Sequence, residues 1–493
     1  MSRDRLRILF VASEVEPFAK TGGLADVVGA LPKALAALGH DVRVLMPKYR
    51  GVERAAGALT PVLPRLEVPI GDRRVEGVLL GGRLGQSVPV YFLAQDQYYD
   101  RPSLYTTPEG DYRDNCERFV FFCRAALAAL PGLEWTPHVI HVHDWQTGLI
   151  PVYLETLYRD DPVYRDIATV FTIHNLAYQG LFWHYDLPMT GLGWDLFTPA
   201  GVEFYGKISF MKGGLMFADL LTTVSPTYAQ EIQTEAYGEG LDGVLRERSQ
   251  DLVGILNGID YELWNPAADG DLPKRYGAED LDGKAVCKAG LRQELGLDET
   301  RLQAPVIGMV SRLADQKGLD LAAAAVPTIA EAGGQFVLLG SGDERYEREF
   351  AALAEQHRGA VSVKLGFDAT LARRIYAGAD LFLMPSRYEP CGLGQLIALR
   401  YGTIPIVRRT GGLADTITEW DAGAGTGTGF VFDVETPAAC RAAVARALSA
   451  YGDAALWRRL CRNAMAEDFS WEASAHKYVT CYRKAVRQAR RHA

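Results

Sequence analysis

The sequence predicts an α/β protein built from two doubly wound domains, each a parallel sheet covered by helices. Its 493 residues exceed the size, about 250 to 300 residues, at which a single hydrophobic core stops growing. Short β-rich runs alternate with helical patterns, and the same rhythm starts again after Pro305. The predicted strands of the first half are residues 8–11, 42–46, 90–93, 139–142, 169–173 and 220–224. Those of the second half are residues 306–310, 336–339, 361–365, 381–384, 404–407 and 430–432.

The domain boundaries follow from this rhythm and from the turn-forming residues. Residues from about 257 to 302 are rich in Asp, Gly and Pro, and turn formers in that density indicate a connection between domains. We therefore place the first domain at residues 1–252, the second at 253–470 and a final helical segment at 471–493.

Composition and charge exclude several classes of partner. The formal net charge of -9 argues against nucleic acid, and the basic run at 483–491 is interpreted as a solvated helix face. Seven scattered cysteines without a Cys-x-x-Cys pair indicate neither disulfides nor zinc, and reduced thiols fit the cytoplasm. The apolar run after Arg7 is too short for a signal peptide or a membrane span.

One hexapeptide occurs in both halves of the chain. Thr-Gly-Gly-Leu-Ala-Asp stands at 21–26 after Lys20 and again at 410–415 after Arg409. Each copy follows a predicted strand and opens a helical pattern, where backbone amides and the helix dipole favour an anion. The alternative is a pair of tight strand-to-helix turns with no ligand. The preceding cation in both copies favours anion-binding turns at the carboxyl ends of the strands.

The second half contains the strongest candidate site. Arg312 and Lys317 follow a predicted strand together, and a planar fork and a point charge are suited to gripping a diphosphate. Glu389 lies after another strand, where a carboxylate could bind sugar hydroxyls or stabilise positive charge at an anomeric carbon. The alternatives are two surface cations on a loop and a carboxylate that satisfies helix N-terminal amides.

Polar and aromatic residues also follow two strands of the first half. His143, Asp144 and Trp145 come after one strand, and His174 and Asn175 after the next. Flat rings beside Asp and Asn are typical of a carbohydrate site, because rings cover the apolar face of a sugar while polar groups bind its hydroxyls. A lone histidine is usually structural, but this clustering favours a functional His174.

Motifs for other chemistries are weak or missing. Gly340-Ser341-Gly342 is not the Gly-x-Gly-x-x-Gly fingerprint, and neither a Walker motif nor His-Glu-x-x-His occurs. The Asp-Leu-Asp tripeptide at 280–282 lies in the acidic connection and is interpreted as chance. We therefore expect neither a cofactor nor a metal site.

At these motifs the sequence resembles the bacterial glycogen synthases and plant starch synthases. The matching pieces are Lys-Thr-Gly-Gly-Leu at 20–24, His-Asn-Leu-Ala-Tyr-Gln-Gly at 174–180, Leu-Asn-Gly-Ile-Asp at 256–260, Ser-Arg at 311–312, Gln-Lys-Gly at 316–318, Glu-Pro-Cys-Gly-Leu at 389–393 and Thr-Gly-Gly-Leu at 410–413. The family has a polar residue after Glu-Pro-Cys-Gly-Leu in many members, whereas this chain has Gly394.

The resemblance implies a GT-B architecture, in which two Rossmann-like domains face a deep cleft. It also implies retaining transfer of glucose from ADP-glucose to the 4-hydroxyl at the non-reducing end of glycogen or another α-1,4-glucan. The first domain would bind the glucan and the second the donor, and residues 471–493 would cross back onto the first. A charge clamp supplied by the protein would make a metal unnecessary.

The resemblance also assigns the site residues. Lys20, Arg312 and Lys317 would bind the diphosphate, and the Thr410 turn would add backbone amides. Glu389 and Cys391 would face the donor glucose, with His174 at the reacting centre and Glu389 among the catalytic residues. Asp26, Asn257 and Phe367 would lie near the nucleoside. Further substrate-binding residues would be Gly22, Gly23, Gly392, Leu393, Thr410, Gly411 and Gly412. Acceptor-side residues would be Glu14, Tyr112, Asp144, Trp145 and Asn175.

Several alternatives stay open at this point. A front-face route and a covalent intermediate are both compatible with these residues, and so are ADP-glucose and UDP-glucose as donors. Rival functions are a sugar-nucleotide epimerase, a phosphorylase with pyridoxal phosphate, and a catalytically idle glucan-binding protein. The last would bind glucan without releasing ADP.

Overall fold

A computed structural model describes residues 5–107 and 109–492 of the chain, which divide into two compact units. The first unit comprises Met1–Gly258 and Trp471–Ala493, and the second comprises Ile259–Ser470. Both units alternate strands and helices as the sequence predicts.

The first unit is built on a large mixed sheet. Its strands are β1 (Arg7–Val11), β2 (Asp41–Pro47), β3 (Thr60–Ile70), β4 (Arg73–Leu84), β5 (Val88–Ala94), β6 (Thr106–Thr107), β7 (Gly110–Asp111), β8 (Val139–His143), β9 (Ala168–Ile173), β10 (Leu181–Trp183), β11 (Glu203–Phe204), β12 (Lys207–Ser209), β13 (Leu220–Thr223) and β14 (Leu252–Gly254). The main sheet has the order β14-β13-β9-β8-β1-β2-β5-β4-β3. Pairing is parallel from β14 to β5 and antiparallel from β5 to β3.

The hairpin of β3 and β4 is an antiparallel edge that the strand pattern did not predict. Pro61, Pro64 and Pro69 interrupt β3 and argue against a strand when they are seen in the sequence. Proline is tolerated here because β3 is the last strand of the sheet and one side of its backbone needs no ladder hydrogen bond. The register of the hairpin also shifts between Pro61 and Leu66.

Helices of the first unit pack against this sheet, and the end of the chain supplies one of them. The helices are α1 (Gly23–Ala37), α2 (Val52–Ala56), α3 (Asp96–Tyr99), α4 (Asn115–Ala128), α5 (Leu149–Glu155), α6 (Leu187–Thr190), α7 (Phe210–Phe217), α8 (Pro226–Glu231) and α9 (Asp242–Glu247). The C-terminal helix, Trp471–His492, packs against α1 and β9. It buries Tyr478, Tyr482 and Ala485, whereas Arg483 and Arg487 on the basic run are exposed.

The second unit is a parallel, doubly wound sheet. Its strands are β15 (Val306–Val310), β16 (Gln335–Gly340), β17 (Val361–Leu365), β18 (Leu381–Met384), β19 (Ile404–Arg408) and β20 (Phe430–Phe432), in the order β17-β16-β15-β18-β19-β20. Its helices are α10 (Asp282–Leu295), α11 (Leu319–Glu331), α12 (Glu344–Gln356), α13 (Ala369–Gly378), α14 (Gly394–Arg400), α15 (Gly411–Thr416), α16 (Pro437–Tyr451) and α17 (Ala454–Ala466). The strand order reverses at β15 and β18, and ligands of such folds bind beyond the carboxyl ends of the strands at that point.

The segment that the sequence predicts as a connection is part of the second unit. It contains α10, whose face toward the core carries Lys284 and Lys288 beside Cys287 and Leu291. Lys284 Nζ donates to the Thr403 hydroxyl at 2.6 Å, and Lys288 Nζ lies 2.6 Å from an Asp380 carboxylate oxygen. Lysines at these positions suggest a solvent-exposed helix when only the sequence is considered. Their burial is explained by their partners elsewhere in the second unit.

Among the described residues, none of the helices combines the length and the apolar character that a membrane span requires.

Candidate active site

Lys317 and Glu389 form the centre of the candidate site in the second unit. Lys317 lies in the turn after β15, and Glu389 in the loop between β18 and α14. Lys317 Nζ donates a hydrogen bond to Glu389 Oε2 at 2.6 Å, and Ser386 Oγ donates to the same oxygen at 2.9 Å. Gly318 lets the loops meet, because its φ is +63° and a Cβ there would lie 2.1 Å from the Pro385 carbonyl oxygen. The buried carboxylate of Glu389 therefore has a charge partner rather than helix amides.

Arg312 follows the same strand as Lys317, but its side chain is not paired with any of the described residues. Leu313, its neighbour, is held by a bridge to Gly342, and the Leu313 N–H donates to the Ser341 carbonyl at 2.9 Å. In the described part of the chain, the exposed Arg312 guanidinium has no hydrogen-bonding or ionic partner. A cation on an anchored backbone is well placed for an anionic ligand.

The second copy of the hexapeptide is a closely packed turn. Gly411 has a φ of +43°, and a Cβ there would lie 2.0 Å from the Glu389 carbonyl oxygen. A Cβ at Gly412 would lie 2.0 Å from the Cys391 carbonyl oxygen, and the Gly412 N–H donates to the Glu389 carbonyl at 3.0 Å. These glycines are thus required by the neighbouring loop, and the Gly412 amide is already used within the protein. Thr410 is buried at the start of α15.

The loop that carries Glu389 is held from the other side by α14. Gln395 Nε2 donates to the Cys391 carbonyl at 2.9 Å and to the Gly392 carbonyl at 3.0 Å. Gly392 has a φ of +73°, and a Cβ there would meet the Gln395 amide at 2.4 Å. Cys391 is buried and Leu393 half-buried, so both of these predicted substrate-binding residues are packed within the loop.

Gly394 and Phe367 lie at the margins of this group. Gly394 begins α14, and a Cβ there would lie 3.1 Å from the Phe382 ring and 3.3 Å from the Met384 sulfur. A polar side chain would therefore need its neighbours to shift, which explains glycine at this place. Phe367 lies on the separate loop after β17 and is 92% exposed.

In the first unit, Glu14 organises the first copy of the hexapeptide. Its buried carboxylate accepts hydrogen bonds from the N–H groups of Thr21 and Gly22 and from the Thr21 hydroxyl, the last at 2.6 Å. Tyr105 Oη also donates to Glu14 at 2.8 Å. Glu14 was predicted on the acceptor side, and the structure shows it holding the turn that follows Lys20.

The glycine pair of the first copy faces open space. A Cβ at Gly22 or Gly23 would meet nothing within 4 Å, unlike its counterpart in the second copy. Lys20 Nζ donates to Asp26 at 2.5 Å, and burial raises the pKa of Asp26 although Lys20 opposes this. The two identical hexapeptides therefore differ in their surroundings, and only the first leaves room for a ligand at its glycines.

His174 and Asp144 meet at the carboxyl ends of β8 and β9. Asp144 Oδ1 accepts the His174 backbone N–H at 2.7 Å, and burial raises the pKa of Asp144 to about 7 against hydrogen bonds from the N–H groups of His174 and Asn175. Asp144 has a φ of +54°, an uncommon conformation for a residue with a side chain. Burial lowers the pKa of His174 to about 3, so its ring is neutral near pH 7.

Trp145 is buried beside these residues. Its ring meets Phe119 edge-on at 4.9 Å between centroids and Phe182 at 5.7 Å. Gly180, with a φ of +59°, lies so close that a Cβ would come 2.5 Å from the indole ring. The sequence predicts a flat ring against a sugar, whereas most of this indole is packed within the unit.

Tyr112 and Asn257 complete the predicted residues of the first unit. The Tyr112 ring lies between two guanidinium groups, 4.6 Å from that of Arg101 and 5.0 Å from that of Arg118. Its N–H donates to the Tyr105 carbonyl at 3.0 Å, which links it to the residue that also contacts Glu14. Asn257 is buried after β14, and its Oδ1 has no hydrogen-bonding partner among the described residues.

Three residues contact the predicted site residues without having been predicted as site residues themselves. They are Ser386, Tyr105 and His143. Ser386 stands in the Glu389 motif, three residues before the carboxylate it binds, so its position was a usable signal. Tyr105 lies in no recognisable motif, and its contact with Glu14 spans 91 residues. His143 was noted in the sequence only as a neighbour of His174.

Residue types that bind metals do not gather into a cluster within the described part of the chain. In residues 5–107 and 109–492, no group of three or more His, Cys, Asp and Glu side chains is placed to hold a metal ion. Within the Asp-Leu-Asp tripeptide, Asp280 Oδ1 accepts the Asp282 N–H at 2.9 Å, at the start of α10. That tripeptide is therefore a helix start.

Comparison with known proteins assigns the chain to a family. The family model for the starch synthase catalytic domain matches residues 7–247, and the model for glycosyl transferases group 1 matches residues 292–464. A glycogen synthase from Syntrophotalea carbinolica is 52% identical over 481 residues, which cover 98% of this chain and 99% of that protein. The chain belongs to the glycogen synthase family.

Further similarities within and beyond the glycogen synthase family agree. A glycogen synthase from Anaeromyxobacter dehalogenans is 52% identical over 479 residues, covering 97% of this chain and 99% of that protein. The catalytic domain of starch synthase IV from Arabidopsis thaliana, solved with ADP and acarbose bound, matches with a TM-score of 0.90 at 36% identity, covering 98% of this chain and 100% of that one. Sucrose-phosphate synthase from Thermosynechococcus elongatus shares the fold, with a TM-score of 0.59 at 19% identity. The match covers 97% of this chain and 98% of that one. This member of the glycogen synthase family is a glycosyltransferase with the GT-B fold.

Proposed function

We propose that this chain transfers glucose from ADP-glucose to the 4-hydroxyl at the non-reducing end of an α-1,4-glucan, with retention of configuration and release of ADP. The observation that carries the proposal is the Lys317–Glu389 pair and, after the same strand, Arg312, which is unpaired among the described residues, in a chain half identical to glycogen synthases over nearly its whole length. ADP and acarbose, bound to the similar starch synthase domain, support a nucleotide donor and a glucan acceptor.

The donor chemistry falls to the second unit. The bond between the anomeric carbon and the diphosphate oxygen breaks, and negative charge grows on the departing ADP. Arg312 and Lys317 would bind that charge more strongly as it develops, which is differential stabilisation of the transition state. The 4-hydroxyl oxygen of the acceptor then bonds to the anomeric carbon, and its proton passes to a diphosphate oxygen.

Glu389 has a separate role in this proposal. The anomeric carbon gains positive character as its bond to the diphosphate breaks, and a nearby carboxylate stabilises that charge or binds a sugar hydroxyl. Lys317 neutralises the Glu389 carboxylate through their ion pair. Transfer of Lys317 to the diphosphate would leave Glu389 negative at the moment when the sugar becomes positive.

The acceptor chemistry falls to the first unit. Asp144 and Asn175 would bind glucan hydroxyls, with Tyr112 and Trp145 as aromatic neighbours. His174 would contact the sugar at the reacting centre as a neutral ring, because burial lowers its pKa to about 3. Hydrogen bonding, rather than proton release from an imidazolium, is therefore the chemistry proposed for His174.

Supply of labelled nucleotide-glucoses to the purified chain with glycogen tests the function. We expect label from ADP-glucose in the polymer, an equal amount of ADP released, and a new linkage that is α-configured by NMR. Parallel assays with UDP-glucose and with a chelator test the donor preference and the need for a metal. No incorporation from any nucleotide-glucose, with glucan binding intact, would favour the idle glucan-binding protein instead.

We also propose a cytoplasmic enzyme without a nucleic-acid partner. The acidic net charge of -9 supports the second part, and seven buried cysteines, none of them in a disulfide bond, support a reducing compartment. Cell fractionation with an antibody, and nucleic-acid retention assays at low salt, test the two parts separately.

A further inference from the structure

His143 and His174 share a hydrogen bond inside the first unit. His143 ends β8, His174 follows β9, and His143 Nδ1 lies 3.0 Å from His174 Nε2. Both rings are buried, and burial holds the pKa of each well below its usual value. Both rings are therefore neutral near pH 7, and each carries a proton on one nitrogen only. One ring must donate to the other.

The free nitrogen of His143 decides which ring donates. His143 Nε2 is buried and has no hydrogen-bonding partner within the described part of the chain. A proton on Nε2 would bury an unpaired N–H, and orphaned buried donors are rarer than orphaned acceptors. The favoured proton position is thus Nδ1, from which His143 donates to His174. Phe10 stacks on the His143 ring at 5.6 Å and opposes a ring flip.

We propose that His143 is a positioning residue that fixes His174 in the tautomer with its proton on Nδ1. His174 Nε2 accepts the bond from His143, so the remaining proton of His174 lies on Nδ1. His174 then offers a donor to an oxygen of the bound sugar and cannot accept a proton at Nε2. The substrate contact, though not the tautomer, rests on the function proposed above.

A third histidine provides a matched control. His141 precedes His143 on the same face of β8, with ring centroids 4.1 Å apart. His141 Nδ1 lies 2.9 Å from the Tyr482 hydroxyl and Nε2 lies 2.6 Å from the Thr172 hydroxyl, so it makes its own bonds. Tyr482→Phe disturbs this buried cluster without touching the pair of His143 and His174.

Ring ¹⁵N NMR on histidine-labelled wild-type protein tests the tautomer directly, with His174 assigned by the loss of its signals in His174→Gln. We expect His174 to be protonated at Nδ1 and unprotonated at Nε2 between about pH 6 and 8. This range includes the ordinary histidine pKa of about 6.5. A proton on His174 Nε2 would overturn the proposal. This readout does not depend on catalysis, so it stands even if the chain transfers no glucose.

Three variants test the consequence for turnover. His143→Leu removes the donor, and we expect kcat to fall about tenfold or more with little change in the KM for ADP-glucose. His143→Asn carries an amide N–H near the place of Nδ1 and should recover most of kcat, while Tyr482→Phe should keep kcat. Equal losses in the Leu and Asn variants with an unchanged His174 tautomer would refute a positioning role.

Discussion

Lys317 Nζ lies 2.6 Å from Glu389 Oε2, and this ion pair joins the two loops that follow β15 and β18. The Glu389 side chain is 7% exposed and that of Lys317 18%, so water screens the pair only weakly. Lys317 therefore stabilises the loop structure and, in the proposed function, also binds the diphosphate. Substitution of Lys317 is therefore expected to change both the stability of the protein and its turnover.

Replacement of Lys317 with Ala should affect both stability and turnover. It leaves the buried Glu389 carboxylate without its cation, and we expect a loss of about 3 kcal/mol in the free energy of unfolding. We also expect kcat with ADP-glucose to fall at least about a hundredfold, because the diphosphate loses a cation in the transition state.

The double variant Lys317→Ala with Glu389→Gln separates the two effects. The amide that replaces the Glu389 carboxylate is neutral and needs no cation. The double variant should therefore recover much of the lost stability, measured by denaturant unfolding, while its turnover stays low. Near-normal turnover in the single variant, or no recovery of stability in the double variant, would contradict this account of the pair.

Arg312 should behave differently, because its guanidinium supports no other part of the described structure. We expect Arg312→Ala to unfold within about 0.5 kcal/mol of the wild type and yet to lose at least about a hundredfold in kcat/KM for ADP-glucose. Arg312→Lys is the matched control, which keeps the charge but not the planar fork. A melting temperature that drops as much as in Lys317→Ala would show that Arg312 is structural.

The two glycine pairs should respond in opposite ways to the same substitution. Gly412→Ala places a Cβ 2.0 Å from the Cys391 carbonyl oxygen, so we expect a clear fall in melting temperature. The Cβ added by Gly23→Ala would meet nothing within 4 Å. Replacement of a glycine in a helix by alanine should therefore leave the free energy of unfolding unchanged or raise it by up to about 1 kcal/mol. Its expected defect is weaker ADP binding by calorimetry, since the new methyl group fills the space left for a ligand. Equal stability of both variants would argue against these assignments.

His174 should make the first unit sensitive to acid. Its pKa is about 3 in the folded chain, against an ordinary value of 6.5, so between these values the unfolded chain binds a proton that the folded chain does not. Stability from this group is full above pH 6.5 and is lost as pH falls towards 3, at a slope of up to about 1.4 kcal/mol per pH unit.

Denaturant unfolding of the wild type and of His174→Gln at pH 7 and pH 5 measures this effect. The Gln variant keeps an acceptor near Nε2 but does not titrate, so its stability should fall less on acidification. Asp144 acts in the opposite sense, because its raised pKa favours the folded state at low pH. It is present in both proteins, as are His141 and His143, whose pKa values are lowered by burial. Parallel losses in the two proteins would exclude His174 as the source.

The order of strands and helices could be predicted from the sequence because a buried element has an apolar pattern within its own short stretch of residues. Runs such as those of β1, β9 and β15 are mostly apolar, and buried parallel strands require this whatever surrounds them. The motifs that follow such strands could also be placed, since parallel strands bring their carboxyl ends to one edge. Lys317 and Glu389 were predicted to lie at such ends, and the structure brings them into contact.

The hairpin of β3 and β4 and helix α10 could not be predicted in the same way. Prolines are acceptable in β3 only because the strand lies at an edge, and lysines are acceptable on the buried face of α10 only because Thr403 and Asp380 receive them. These conditions are met by residues far away in the chain. A window of sequence does not contain them.

By itself, the sequence determined two doubly wound units, a likeness to glycogen and starch synthases and the residues that follow the strands, because these depend on composition, periodicity and motif. The tertiary structure alone decided what each residue contacts. Identical hexapeptides became an open turn held by Glu14 and a turn packed against the Glu389 loop, and a histidine noted only in passing came within 3.0 Å of His174. The physical reason is that hydrogen bonds and steric limits act over a few ångströms in space, whatever the separation along the chain.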